Sequence, residues 1–166
     1  MKSRSDGFTL IELLIVTAII GILSALAAPF LIAAKASANE ASAIQSLRTL
    51  VSAQTTYANS CGKGGYTASL TTLVSGEFAS PDIDITPKSG YSFQLVAGAG
   101  SIPLSSDCNG APTRSGYYFR AEPLSSGTGK RGLATNDVGT IWQDTTGVAP
   151  PEPFTAGGTI SPLESH

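Results

Sequence analysis

The chain has 166 residues, a formal net charge of −2 and 13% charged residues, against about 25% in an ordinary soluble domain. Its one His is the last residue, His166, and its two Cys are Cys61 and Cys108. This composition argues against a histidine-based catalytic triad, a His-rich metal site or a thiolate zinc site, and without a basic block nucleic acid is not a primary partner.

The first feature along the chain is apolar. Residues Leu13 to Ala34 carry no charge and number roughly 22, against the ~20 that span a membrane. Lys2 and Arg4 precede them, which predicts a cytoplasmic N-terminus with the rest of the chain on the far side. A cleaved secretory signal is the rival reading, because Ser24-Ala25-Leu26-Ala27-Ala28 offers small residues suited to a cleavage site. A plain uncleaved anchor is another. Neither explains Glu12, a carboxylate at the head of the apolar run that is costly in a membrane without a partner.

Beyond Pro29 the composition stays helical. Ile44, Leu47, Val51, Gln54 and Ala58 recur at three- and four-residue spacing, flanked by Leu50 and Tyr57, which predicts an amphipathic face. Glu40, Ser46 and Thr49 are expected on or near the other face. The helix is expected to run from Phe8 to about Asn59, where Gly62, Gly64 and Gly65 end it. Pro29 lacks a backbone donor and should bend or locally melt the rod.

Short elements follow. Ser69 to Ser75 suits a helix capped by Ser69, with Leu70, Leu73 and Val74 inward. Pro81 to Pro87 reads as an extended connector. Tyr91 to Ala97, Tyr117 to Glu122 and Thr140 to Gln143 read as strands, with Gly132 to Thr135 as a fourth before an Asn136-Asp137-Val138-Gly139 turn. Short intervals favour antiparallel pairing, and a meander laid on a long helix buries both apolar faces. The fold class is therefore α+β, a long N-terminal helix on a small antiparallel sheet. The tail from Val148, with Pro150, Pro151, Pro153 and Pro162, is expected to be an irregular strap and not a strand.

Cys61 and Cys108 both fall on the exterior side, where disulfides persist. A bridge would tie the helix end to the loop between the first two strands; two free buried thiols are the alternative. Asp137 and Asp144 with nearby carbonyls form a weak calcium candidate, although Asn136 to Gly139 is more simply a hairpin turn. Tyr117, Tyr118, Phe119 and Trp142 are either core or a sugar-binding or electron-carrying stripe. Lys130-Arg131 reads as a solvated loop. There is no nucleophile motif, and no cofactor is called for.

Residues Gly7-Phe8-Thr9-Leu10-Ile11-Glu12-Leu13-Leu14-Ile15-Val16 closely resemble the type IV prepilin motif, shared by type IV pilins and the pseudopilins of type II secretion. The resemblance implies cleavage by prepilin peptidase between Gly7 and Phe8, N-methylation of Phe8, and an assembly role for Glu12, paired with the new Phe8 amine of a neighbouring copy. Pro29 falls at the family's helix-kinking proline. The implied layout is a leader over 1–7, a transmembrane and assembly helix over 8–34, its amphipathic continuation over 35–60, a pilin-like head over 61–147 and a Pro/Gly-rich tail over 148–166. The implied protein is a non-enzymatic pilus subunit, for adhesion, twitching motility or DNA uptake. It would wait in the inner membrane as a single-pass precursor and end in an extracellular pilus. Its implied partners are copies of itself, prepilin peptidase, an inner-membrane assembly platform, minor pilins and membrane lipid. A periplasmic pseudopilin is the alternative within the family. A membrane-anchored extracytoplasmic binding protein or enzyme is the reading outside it.

Overall fold

An unbroken apolar run followed by helical periodicity makes one long helix the first element of the fold, with Pro29 inside it. The computed structural model describes residues 8–84 and 87–163. The expected leader, with Gly7 at the expected cleavage point, lies outside the described residues, as does Ile85 of the expected connector. The chain divides into two compact units, Met1–Ala34 and Lys35–His166. Helix α1 (Leu10–Asn59) contributes to both.

In the first unit α1 starts two residues later than expected, because Thr9 acts as its cap. The helix continues through Pro29, so local melting there is not seen. A Pro ring removes one hydrogen bond and leaves its neighbours free to stay helical. The apolar side chains from Leu10 to Ile32 are exposed, Leu10 at 83% and Phe30 at 76%.

In the second unit α1 is followed by α2 (Leu70–Ser75), a 3-10 turn (Pro81–Ile83) and five strands. These are β1 (Tyr91–Ala97), β2 (Tyr117–Pro123), β3 (Gly132–Asn136), β4 (Trp142–Asp144) and β5 (Ile160–Pro162). All pair antiparallel in the order β1-β2-β3-β4-β5. Ser69 caps α2, its hydroxyl accepting the Thr72 N–H. The expected α+β architecture is what the chain adopts.

Alternation along the strands decides the two faces. Tyr91, Phe93 and Leu95 of β1, Tyr117, Phe119 and Ala121 of β2, and Leu133 of β3 share one core with Ala43, Leu47, Leu50 and Tyr57 of α1. Tyr118, Arg120 and Trp142 lie on the opposite face, by the pairings Tyr118↔Asn136, Arg120↔Ala134 and Ala134↔Trp142. The chain after β4 crosses that second face. The Tyr118 hydroxyl donates to the Pro150 carbonyl at 2.7 Å, and the Ala149 N–H donates to Glu122 at 3.0 Å. This crossing is why residues 132–135 of β3 are buried on both sides. It also explains Gly132: any Cβ there would run into the Val148 carbonyl and the Ala149 nitrogen.

Several expectations are corrected. The connector from Pro81 opens as a 3-10 turn, since Pro81 presets the φ of a helical first position and Ile83 turns into the core. Strand β4 is shifted to Trp142–Asp144, the residues that pair with Gly132–Ala134 of β3 and with Ile160–Pro162 of β5. The tail does contain a strand. β5 is the edge strand beside β4, where Pro162 needs no inward donor. The buried stripe of α1 is rotated by about one residue from the expected one. Glu40 and Ser46 are buried with Ala36, Ala43, Leu47, Leu50, Gln54 and Tyr57, while Ile44 and Val51 are only half-buried.

Candidate functional site

The N-terminal segment is built around a capping box, the S/T-x-x-E arrangement that satisfies two orphan donors of a helix start. The Thr9 hydroxyl accepts the Glu12 N–H at 3.3 Å and donates to Glu12 Oε2 at 3.0 Å. Glu12 Oε2 also accepts the Thr9 N–H at 3.3 Å. The Glu12 carboxylate is thus held against the helix start, one turn from Phe8, a residue 80% exposed. The following helix is long and apolar enough to cross a membrane, with none of that stretch buried in the protein. Thr9 was not singled out from the sequence, yet Thr9-x-x-Glu12 ahead of an apolar run is a readable capping signature.

A second set of polar contacts fastens the head to α1. At one point Glu40 accepts the Lys130 N–H at 2.7 Å and the Arg131 N–H at 3.3 Å. The Arg131 guanidinium closes on Glu40 Oε2 at 2.8 and 2.9 Å and also donates to Gln143. Lys130-Arg131 is therefore not simply a solvated loop. Burial pushes the Glu40 carboxyl up, but the Lys130 N–H and the Arg131 guanidinium outweigh it and hold the group below its usual range.

Further along α1, Gln54 donates to the Thr67 carbonyl at 2.7 Å and accepts its N–H at 3.2 Å, fully buried. Tyr57 donates to Asp107 at 2.8 Å. The other Asp107 oxygen accepts the N–H groups of Asn109 and Ala111. Burial opposes the Asp107 charge, yet these donors leave its carboxyl lowered overall. Burial first, then Asp107, drive the Tyr57 phenol up. Beside them Cys61 and Cys108 are joined in a disulfide, with Cα atoms 4.8 Å apart, and the Cys108 N–H donates to the Cys61 carbonyl at 2.8 Å. The bridge links the end of α1 to the β1–β2 loop.

Asp137 and Asp144 do not come together. Asp144 pairs with Gly132 at one end of β3, and Asp137 follows Asn136 at the other. The two ends of this five-residue strand lie about 13 Å apart. Asn136 to Gly139 forms a turn, with the Gly139 N–H on the Asn136 carbonyl at 2.9 Å and φ +84 at Gly139. Among the described residues no group of three or more His, Cys, Asp or Glu side chains is arranged to hold a metal. The aromatic stripe is divided between faces: Tyr117 and Phe119 pack edge-to-face in the core, whereas Trp142 stacks on Phe154 at 5.4 Å on the outer face.

Comparison with known proteins bears on the N-terminal segment first. Residues 2–28 match the model of the prokaryotic N-terminal methylation motif. The chain is 36% identical over 103 residues to the type IV major pilin protein PilA of Myxococcus xanthus. That match covers 61% of this chain and 41% of the relative's length. No solved structure matches. The two matches support the type IV pilin family.

Proposed function

We propose that this chain, type IV pilin-like and bearing the N-terminal methylation motif, is a structural subunit polymerised from the inner membrane into a helical pilus. In this reading prepilin peptidase cuts between Gly7 and Phe8 and methylates the Phe8 amine. The precursor waits as a single-pass membrane protein with its N-terminus in the cytoplasm. An assembly platform then moves it into the growing filament beside copies of itself and minor pilins.

One observation carries the reading: an exposed apolar helical stretch, uncharged from Leu13 to Ala34, opens on a carboxylate placed within a turn of the expected new N-terminus. Such a surface is stable only in lipid or against other apolar helices. Moving it from lipid to a filament core keeps the apolar environment. The Glu12 charge then needs a partner at each stage. Before assembly the Thr9 hydroxyl and N–H serve. In the filament the methylated amine of a neighbouring Phe8 neutralises it and fixes the axial step between copies. Pro29 leaves the Ala25 carbonyl without its helical donor, which gives the packed rod a place to bend. The head, fastened at Glu40 and at Tyr57, is carried on the outside. The Cys61–Cys108 bridge suits the oxidising side of the membrane.

Glu12→Leu tests this. The variant is expected to insert in the membrane at normal level and to give few or no filaments. Normal filament yield contradicts the reading. Fractionation of the native chain then separates two members of the family: recovery in sheared surface fibres means a pilus, and recovery only within the cell envelope means a secretion pseudopilus.

A further inference from the structure

On the outer face of the sheet, where the chain after β4 recrosses it, a cleft of about 340 Å³ is lined by Asn136, Asp137, Thr140, Trp142, Glu152 and Phe154 among others. Small-molecule sites run from roughly 300 to 1,000 Å³. Its walls differ in chemistry. Trp142 and Phe154 stack offset at 5.4 Å with 17° between their planes, so each covers part of one face of the other and the pair presents a stepped apolar surface. Glu152 also lines the cleft and is already committed. Its two oxygens accept the Ala99 N–H at 2.6 Å and the Asn136 side-chain amide at 2.8 Å. The Asn136 side-chain oxygen takes the Val138 N–H.

Three polar groups in the cleft are uncommitted. Among the described residues no hydrogen bond uses the Trp142 indole N–H, the Asp137 carboxylate or the Thr140 hydroxyl. Both carboxylates and the absence of Lys or Arg from the lining exclude an anion. A free cation would satisfy Asp137 but not the indole N–H, because cationic side chains only donate. A ligand that both donates and accepts, and that has a flat apolar face, satisfies all of them. A pyranose ring has that combination: its C–H face lies on an aromatic surface while its hydroxyls both donate and accept.

We propose that this cleft binds a neutral saccharide ring, with the Trp142–Phe154 pair as the stacking wall, Asp137 accepting from sugar hydroxyls, and the Trp142 N–H and Thr140 hydroxyl completing the ring's hydrogen bonds. Every residue of the cleft belongs to the second unit, and binding there does not require filament assembly.

The chain supplies its own reporter, since Trp142 is its single tryptophan. The test uses the full chain in a zwitterionic detergent without a sugar headgroup. Glucose, galactose and N-acetylglucosamine are titrated in turn to about 50 mM, well above a millimolar Kd, while Trp142 emission and its quenching by acrylamide are recorded. The expected result is a saturable change with at least one of the three sugars. Affinity should fall at least about fivefold in Asp137→Ala and in Thr140→Val. Both residues are exposed, so both variants keep the fold, checked by circular dichroism. No saturable change with any of the three sugars overturns the proposal. So does a change of equal affinity in both variants, or a saturable response to free arginine in place of the sugars.

Discussion

Glu40 and Arg131 meet at 2.8 Å across 91 residues of sequence, and the same carboxylate takes the Lys130 N–H at 2.7 Å. One helical carboxylate therefore fixes the start of β3 against α1. The Glu40 side chain is only 10% exposed, and that of Arg131 is 33% exposed. Glu40→Gln keeps the shape and removes the charge. It is expected to destabilise the second unit by about 1–2 kcal/mol, the scale of a charged hydrogen bond partly open to water. Arg131→Met should cost a similar amount, and the double variant less than their sum, because the two residues act as one contact. Thermal unfolding of the full chain in micelles measures all three.

Two titrations bound the stability of the head. Glu40 and Asp107 have folded carboxyl pKa values held below their ordinary range. Their contribution is therefore present above the unfolded pKa, about 4, and is lost as pH falls below it toward the folded values. On the alkaline side burial raises the phenols of Tyr57, Tyr91, Tyr117 and Tyr118, Tyr118 to about 12. Their contribution is present below the unfolded pKa of about 10 and is lost as pH rises above it. Unfolding followed by circular dichroism should show a plateau between, with tyrosinate absorbance appearing together with alkaline unfolding. Normal ionisation of these four tyrosines near pH 10 in a folded head would contradict this.

The Cys61–Cys108 bridge closes a sequence separation of 47 residues. Loop-closure entropy for that length is worth about 4 kcal/mol. Cys61→Ser, Cys108→Ser and the double variant should each lower stability by a few kcal/mol, with the double variant no worse than the singles. The loss should centre on the loop that carries Asp107, which hydrogen exchange would show as faster exchange at Asn109 and Ala111 before β2. Protection unchanged in that loop would mean that Tyr57 and Asp107 alone hold it.

The long helix, its end at Asn59, the capped α2, and the inward residues of β1 and β2 could all be read in the sequence, because each rests on local periodicity or a cap. The misread parts were set by distant contacts. Glu40 reads as a solvent-facing charge until β3 brings Arg131 and two backbone N–H groups to it. The tail reads as irregular because Pro162 argues against a central strand, and only the sheet order makes β5 an edge. Asp137 and Asp144 look close in sequence, but the antiparallel return of β4 carries them to opposite ends of β3. At the N-terminal segment the motif gave Phe8 and Glu12, and missed Thr9, whose hydroxyl and N–H hold the Glu12 carboxylate.

The central claim is that this chain is processed and polymerised through its N-terminal segment. Intact-mass and N-terminal peptide mass spectrometry of sheared surface filaments test it most directly. The account predicts a mature chain that begins at Phe8 and carries one added methyl on its amine. A filament-free chain that keeps Met1, or one cut near Ala28, would contradict it.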